Sequence, residues 1–522
     1  MKILGMTSHH DASICLLEDG NVIRFYKEER LNGVKRESPC ILGLYKIYEE
    51  FGNTIDYIVG EADDASVPML CTRLFPSAEI IDVKRLHHLC HASLAFYSSG
   101  FKEALTVVID RNGSTMEEGI ESETVFCCRY PNTFTTVYQN LSNQIDEKYN
   151  ITGVYESATA LIGQHPLENG KTMGLASYGR NNLAPPLFED GIPIKEKFTT
   201  VHKDYMWGSI PGKHHTVVNK ELHSRTTSDL NEDNYHIYAD YAYQVQSETQ
   251  KAVGDIIEKF DHLNIKNVCI TGGYGLNVVA NQYLTERFPW YNFFFEPLAD
   301  DTGNSIGAAL YLHHELTKSE DPFDFKDTMF HGKEYPIPKE YKTCELDFIV
   351  DSICNNKSVA VFHKQAEAGP RALGNRSILF NPYNPDAKEI VNKIKRREWY
   401  RPFAAMVLDY EAPYLFNMGM HEVNENNCKY MTRSVTVRDP FLYGITHIDQ
   451  TCRIQTIDYK HHLYRLLRSI SSRIGYGVLL NTSFNLAGKP LVETLADAEK
   501  TFYNSDLDIL WFPETKQFIS KD

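Results

Sequence analysis

Residues 369–403 place Arg371, Arg376, Lys393, Lys395, Arg396, Arg397 and Arg401 around Gly369 and Gly374, in a 522-residue chain whose formal net charge is −16. Guanidinium forks and ammonium groups at that density suit phosphate or carboxylate, because one Arg offers paired donors to two oxygens. A solvated basic helix face accounts for residues 393–397 equally well. It does not account for GPRALGNRS, where the charges alternate with glycine and apolar residues. The reading adopted is an anion site.

A second set of residues suits a metal. In RLHHLCHASLAFYSSGF, residues 85–101, His87 and His91 stand four apart and share one face of a helix. Two imidazoles so placed can hold one ion, although ordinary helix histidines have the same spacing. The zinc-peptidase pattern requires Glu after the first His, and that position is His88. Asp110 ends the apolar run ALTVVI and precedes the turn RNGS, a place suited to a third ligand. Asp300 and Asp301 precede an alanine-rich helical stretch. Acids there often cap a helix, but beside the other three groups they also supply a fourth ligand.

Weaker signals come from loops. His10 and Asp11 sit in the glycine-opened loop GMTSHHDAS, which suits substrate contacts or a capped turn, and Lys35 adds charge in EERLNGVKRE. NVCITGGYGLNVVANQYL reads as strand, turn and helix, so that amides at Gly272 and Gly273 can approach a nucleotide phosphate. The glycine spacing is neither a Rossmann fingerprint nor a Walker A motif. Ser483 and Asn485 follow the apolar run GVLL as further phosphate donors.

These residues require a frame. Residues 2–4 and 13–17 read as strands, with EDGN as a hairpin turn into VIRFY. ENGKTMGLASYG, residues 168–179, reads as a loop. The region 317–341, rich in Pro, Lys and acids, reads as a connection between domains 1–340 and 341–522, and SVAVFH then opens a new pattern ending in a helix at 459–473 and the strand GVLLN. No internal repeat is visible. Hydrophobic residues at 42% and charged residues at 23% are ordinary for a globular protein. The acidic balance disfavours nucleic-acid binding except through a local groove. Apolar runs are too short to cross a bilayer and the N-terminus turns polar early, so the expectation is a cytoplasmic chain without a membrane partner. The 11 cysteines include no CxxC pair and read as reduced core thiols.

HDAS, EER with Lys35, HHLCHASLAFYSSGF, GKTMGLASYG, GGYGLN, DTGNSIGAAL, GPRALGNRSIL, RPFAAMVL, HIDQTCRIQT and NTSFN occur in one order along the chain. In this it resembles the NodU/CmcH/TobZ family of O-carbamoyltransferases. The resemblance implies an α/β fold, with an N-terminal domain similar to the TsaD-like members of the actin/Hsp70 ATPase superfamily and a YrdC-like C-terminal domain. It implies that carbamoyl phosphate and ATP become carbamoyl-adenylate in the second domain, and that the first passes the carbamoyl group to a hydroxyl of a small molecule or nucleotide. By the same resemblance His87, His91, Asp110 and Asp301 are metal ligands, for iron(II) with manganese or zinc also compatible. His10 and Lys35 lie at the acceptor, and Arg371, Arg376, Lys395, Arg401 and Ser483 form the carbamoyl-phosphate and ATP site. From the reading of the residues themselves, Asn485 joins that site, and Gly272, Gly273 and Asn277 are expected at nucleotide. Two departures stand out: DRNG replaces the family's Asp-Gly turn, and His9 stands where glycine often precedes the His-Asp pair. A regulatory protein of the same fold and a threonylcarbamoyl-type tRNA-modifying enzyme are the alternatives. HypF-like thiol carbamoylation is less well matched, because the acylphosphatase and cysteine motifs that accompany it are absent from this sequence.

Overall fold

The computed structural model describes residues 1–521 apart from 62–64, 84, 143–149, 183–184, 195–196, 203–214, 220–229, 232, 319–328 and 419–425. The chain opens with three antiparallel strands, β1 (Lys2–Thr7), β2 (Ser13–Glu18) and β3 (Asn21–Lys27). Asp19 and Gly20 connect the last two with φ of 47° and 82°, the pair of left-handed residues that a two-residue hairpin turn demands. Strands β4 (Tyr57–Glu61) and β5 (Glu79–Asp82) then add in parallel, giving the order β3-β2-β1-β4-β5.

The next sheet repeats that plan. Strands β6 (Glu103–Ile109), β8 (Gly119–Arg129) and β9 (Thr133–Ser142) are antiparallel, with the short β7 (Thr115–Met116) pairing the start of β8. After two small hairpins, β10 (Phe188–Glu189) with β11 (Ile192–Pro193) and β12 (Phe198–His202) with β13 (His215–Asn219), the strands β14 (Asn267–Thr271) and β15 (Asn292–Phe295) join β6 in parallel. The order β9-β8-β6-β14-β15 matches that of the first sheet strand for strand. The repeat is one of topology and was not visible in the residues, since pairing depends on the pattern of burial and not on residue identity.

The helices His87–Ser99 and Asn304–Thr317 pack side by side and share a core with Ile3, Cys15 and Val108. The first is buried nearly all round from His87 to Tyr97, as expected of an internal helix. Their approach depends on Gly307, where a Cβ would lie 2.0 Å from the Cys90 carbonyl oxygen. Residues 168–179, read as a loop, contain the helix Asn169–Ala176.

The remaining sheet lies within residues 342–520. It comprises β16 (Lys342–Thr343), β17 (Val359–Phe362), β18 (Arg376–Phe380), β19 (Ala404–Leu408), β20 (Phe416–Asn417), β21 (Ser434–Val437), β22 (Thr451–Ile457), β23 (Val478–Ser483), β24 (Ile509–Phe512) and β25 (Gln517–Ser520). Their order is β16-β25-β24-β17-β18-β23-β19-β22-β21-β20. The helix expected at 459–473 runs Tyr464–Ile474. The architecture is α/β, as expected. Part of the proposed connection, 319–328, lies outside the described residues. Just beyond it the His331 carbonyl accepts from the Phe25 amide of β3 at 2.9 Å, and the Met329 carbonyl accepts from Ala368 at 2.7 Å. Arg30 strengthens this junction by donating to the backbone carbonyls of Glu367, Ala368 and Gly369.

Candidate active site

Four buried side chains, His87, His91, Asp110 and Asp301, bring one donor atom each to within 4.8 Å of one another. The helix His87–Ser99 supplies two, the end of β6 the third and the turn Asp301–Gly303 the fourth. His87 Nε2 stands 3.5 Å from Asp301 Oδ1 and 3.6 Å from Asp110 Oδ2, while His91 Nε2 stands 3.4 Å from Asp301 Oδ1. These gaps are long for hydrogen bonds. They match the roughly 3.4 Å that separates two ligands at tetrahedral angles with bonds of about 2.1 Å. Both ring nitrogens of His91 are buried without a hydrogen-bond partner, so the residues present fit a divalent cation. His88, the neighbour, is turned away and bonds Thr124 Oγ1 through Nδ1 at 2.7 Å.

Local backbone fixes the carboxylates. The Gly273 amide donates to Asp110 Oδ1 at 3.0 Å. Gly272 makes that contact possible with φ of 80°, in a place where a Cβ would lie 2.4 Å from the Ile109 carbonyl oxygen. Burial raises the Asp110 carboxyl and Asp301 adds to that, yet the neighbouring imidazoles outweigh both and hold it at about 2. Asp301 is likewise held well below the usual carboxylate range, because His87 and His10 outweigh its burial.

The loop between β1 and β2 brings His10 to the edge of this centre. His10 Nδ1 lies 3.3 Å from Asp301 Oδ2, and its side chain is 47% exposed, so the ring is open to solvent. Partial burial favours the neutral imidazole, but Asp301 and Asp11 outweigh it and raise the pKa. Beneath the loop, the buried Lys27 ammonium contacts Asp11 at 3.0 Å and Glu29 at 3.4 Å. Lys35 sits at the rim, its pKa lowered by the surrounding chain and by Arg36.

The second cluster is cationic and poor in counter-charge. Lys395, 4% exposed at the end of the helix Ala387–Lys395, reaches the turn after β23. Its ammonium donates to the Ser483 carbonyl, to Ser483 Oγ at 3.2 Å, and to the carbonyl and Oδ1 of Asn485 at 2.9 and 2.8 Å. All of these acceptors are neutral. Burial, then Arg397, Arg401 and Lys35, drive its pKa well down. Burial and Arg401 lower Arg371 to about 10 and Arg397 to about 9. Arg453 on β22 is depressed further by burial and by Arg371, and its Nε is buried without a partner. Among the described residues, Glu398 pairs here, 3.4 Å from Arg401 and 2.7 Å from Lys171, and Lys171 also contacts Glu168 at 2.9 Å. Buried cations that outnumber their anions call for an anionic occupant. Arg371 also donates to the Leu276 carbonyl at 3.0 Å, so this cluster abuts the first half of the chain.

Three expected contacts carry other bonds in the structure. Arg376 is fully buried over the Phe362 ring, its two terminal nitrogens donate to the carbonyls of His363, Asn375, Lys364 and Glu493, and its Nε is buried without a hydrogen-bond partner among the described residues. Asn277 caps the helix Val278–Arg287 through Ala280 N at 3.0 Å and bonds Gln246, which commits its amide to the core. The Gly273 amide serves the Asp110 carboxylate where a phosphate contact was expected. Of the basic run 393–397, Lys393 and Arg396 are exposed, as a solvated face would have them, while Lys395 is buried. Arg453 was missed as a member of the cluster, and Arg397 was named in the basic stretch but not among the site residues. For Arg453 the signal was a long cation within the strand-like run TCRIQT.

Family models match both clusters: the carbamoyltransferase N-terminus over residues 78–310 and the carbamoyltransferase C-terminus over residues 350–518. The chain belongs to the carbamoyltransferase family. It is an enzyme of that class, and the two matches include the proposed metal ligands and the cationic cluster respectively. Nodulation protein NolNO of Sinorhizobium fredii is 26% identical over 96% of this chain and 78% of its own length. Nodulation protein U of Bradyrhizobium diazoefficiens is 31% identical over 43% of this chain and 40% of its own. An uncharacterized protein of Methanocaldococcus jannaschii is 28% identical over 97% of this carbamoyltransferase and 98% of its own length. Among solved structures, full-length HypF in its phosphate- and nucleotide-bound form gives a TM-score of 0.36 at 11% identity, covering 61% of this chain and 47% of HypF. HypF of T. kodakarensis gives 0.39 at 12%, covering 62% and 49%. The carbamoyltransferase thus spans about half of each HypF chain.

Proposed function

We propose that this carbamoyltransferase is ATP-dependent and works with two centres: residues 341–522 convert carbamoyl phosphate, ATP and water to carbamoyl-adenylate with release of inorganic phosphate and pyrophosphate, and residues 1–340 pass the carbamoyl group to a hydroxyl with AMP leaving. The observation that carries this reading is the buried Lys395 ammonium, bonded to neutral oxygens and crowded by other cations. Arg371, Arg401 and Arg453 sit with it to take up phosphate charge, and Ser483 and Asn485 hold the ammonium in place. Each charge-assisted contact to a desolvated phosphate contributes about 1.5–3 kcal/mol.

In the first centre His87, His91, Asp110 and Asp301 would hold the cation. Iron(II), or manganese or zinc with the same mixed donor set, supplies positive charge for the phosphate of the adenylate when bound. His10 takes the proton of the attacking hydroxyl, and its pairing with Asp301 makes it the stronger base. Lys35 stands at the rim, within electrostatic reach of both Arg401 and Lys395, where a passing anion meets positive charge from each half. The mixed anhydride is prone to hydrolysis in open water, so a short closed route between the centres favours transfer.

The acceptor is a small hydroxylated molecule or a nucleotide, with a hydroxymethylated pyrimidine as one member of that class. The charge of −16 weighs against polymeric nucleic acid. No helix among the described residues is long and apolar enough to cross a membrane. The test is a mass-spectrometric screen of hydroxyl-bearing pools incubated with enzyme, carbamoyl phosphate and ATP. Gain of one carbamoyl group that requires both co-substrates is the expected result. Gain with carbamoyl phosphate alone would remove the adenylate from the scheme.

A further inference from the structure

Glu61 is not one of the four donor residues, yet its carboxylate joins the metal cluster to the acceptor loop. It ends β4 opposite Thr7, the last residue of β1, so it stands at the strand ends from which the loop carrying His9 and His10 departs. Its Oε2 lies 3.0 Å from Nδ1 of His87 and 3.1 Å from Nε2 of His9. The side chain is 6% exposed.

An imidazole that binds a cation through one nitrogen must carry its proton on the other. An ionised carboxylate has no proton to donate, so a short contact from Nδ1 to Glu61 makes Nδ1–H the donor. That leaves the lone pair on Nε2, the nitrogen that faces Asp110 and Asp301 at 3.6 and 3.5 Å. Carboxylates paired behind ligand histidines set tautomer and ring orientation in this way. The second contact is made by His9, which stands where glycine often precedes the His-Asp pair in the family this sequence resembles.

We propose that Glu61 is a positioning residue for the metal centre: it holds His87 in the tautomer that presents Nε2, and through His9 it ties the acceptor loop to the same carboxylate. The proposal rests on the four-ligand reading above. Its consequence is that the loop bearing His10 is steadied by the group that orders a metal ligand, and both loosen together when the carboxylate is lost.

The test is calorimetric titration of the metal-stripped full chain with manganese(II), in the wild type and in Glu61→Gln. The substituted amide fits either tautomer, so affinity is expected to fall about 10–100-fold. Amide hydrogen exchange at residues 8–11 is expected to quicken in the same variant. A second measurement needs no substitution. In wild-type protein loaded with cadmium-113 and labelled with nitrogen-15 histidine, the metal coupling of His87 is expected at Nε2, with a proton on Nδ1. Wild-type manganese affinity in Glu61→Gln, or cadmium coupling at Nδ1, overturns the proposal and leaves the metal reading standing. A wild-type chain that takes up neither ion overturns both.

Discussion

Lys395 and Arg453 share an environment: both are driven far below their ordinary pKa by burial and by like charge. If that environment exists to receive phosphate, Lys395→Met and Arg453→Met should each slow pyrophosphate release about a hundredfold, the effect of losing some 2–3 kcal/mol. Metal content should stay at the wild-type level, and elemental analysis with a pyrophosphate assay checks both. Arg453 was hard to recognise from sequence, because one arginine in an alternating strand reads as a solvent-facing residue. The depth of Arg376 was equally hard to read, since its motif alternates charge with glycine and gives no sign that the side chain lies fully buried over Phe362. Asn277 carried a readable signal, as an Asn directly before VVANQYL is an N-cap. A further residue, Glu296, gives a pH prediction. It is fully buried, with Oε2 unpartnered, and burial raises its carboxyl to about 7 from an ordinary value near 4.3. A raised acid pKa means that the native state binds the proton more tightly. The stability it contributes is therefore complete below the unfolded value and is lost as pH climbs through about 7. Glu296→Gln should raise the unfolding free energy by roughly 3 kcal/mol at pH 9 and change it little at pH 4. Urea melts at the two pH values decide it.

At the level of elements, the proposed metal centre draws its four residues from two closely packed helices and the segments beside them. A Cβ at Gly307 would meet the Cys90 carbonyl at 2.0 Å, and Cys90 immediately precedes His91. Gly307→Val should force the helices apart at a cost of about 1–3 kcal/mol or more. It should lower Tm and weaken metal binding together, because the Asp301 turn leads directly into the helix that moves. Unchanged metal affinity in a destabilised Gly307→Val protein would show that the ligand geometry is set elsewhere. The strands and helices themselves were largely legible: apolar runs gave β1, β2, β6 and β14, and the i, i+4 histidines gave the helix His87–Ser99. The doubled sheet was not, since each half draws its parallel strands from distant segments, and such pairing leaves no local period to read. The helix Asn169–Ala176 was hidden by its glycines at 170 and 174, which lower helix propensity without preventing a packed helix.

For the whole molecule, the issue is whether two centres operate as one enzyme. The halves are joined beside both sites: Arg30 holds the backbone at residues 367–369, Arg371 donates to the Leu276 carbonyl, and Lys171 pairs with Glu398 at 2.7 Å. Arg30→Ala removes charge-assisted donors from a buried junction while leaving the proposed ligands in both centres. It should lower the yield of carbamoyl product per pyrophosphate released, as adenylate escapes and hydrolyses. An unchanged ratio would mean that this junction does not confine the intermediate. The most direct test of the two-centre account is His91→Ala, assayed for bound metal, pyrophosphate release and carbamoyl product in the presence of carbamoyl phosphate, ATP and an identified acceptor. The account predicts loss of metal and product with pyrophosphate release continuing, because the cationic cluster draws on different residues. Retention of metal and product, or pyrophosphate release abolished along with them, would contradict it.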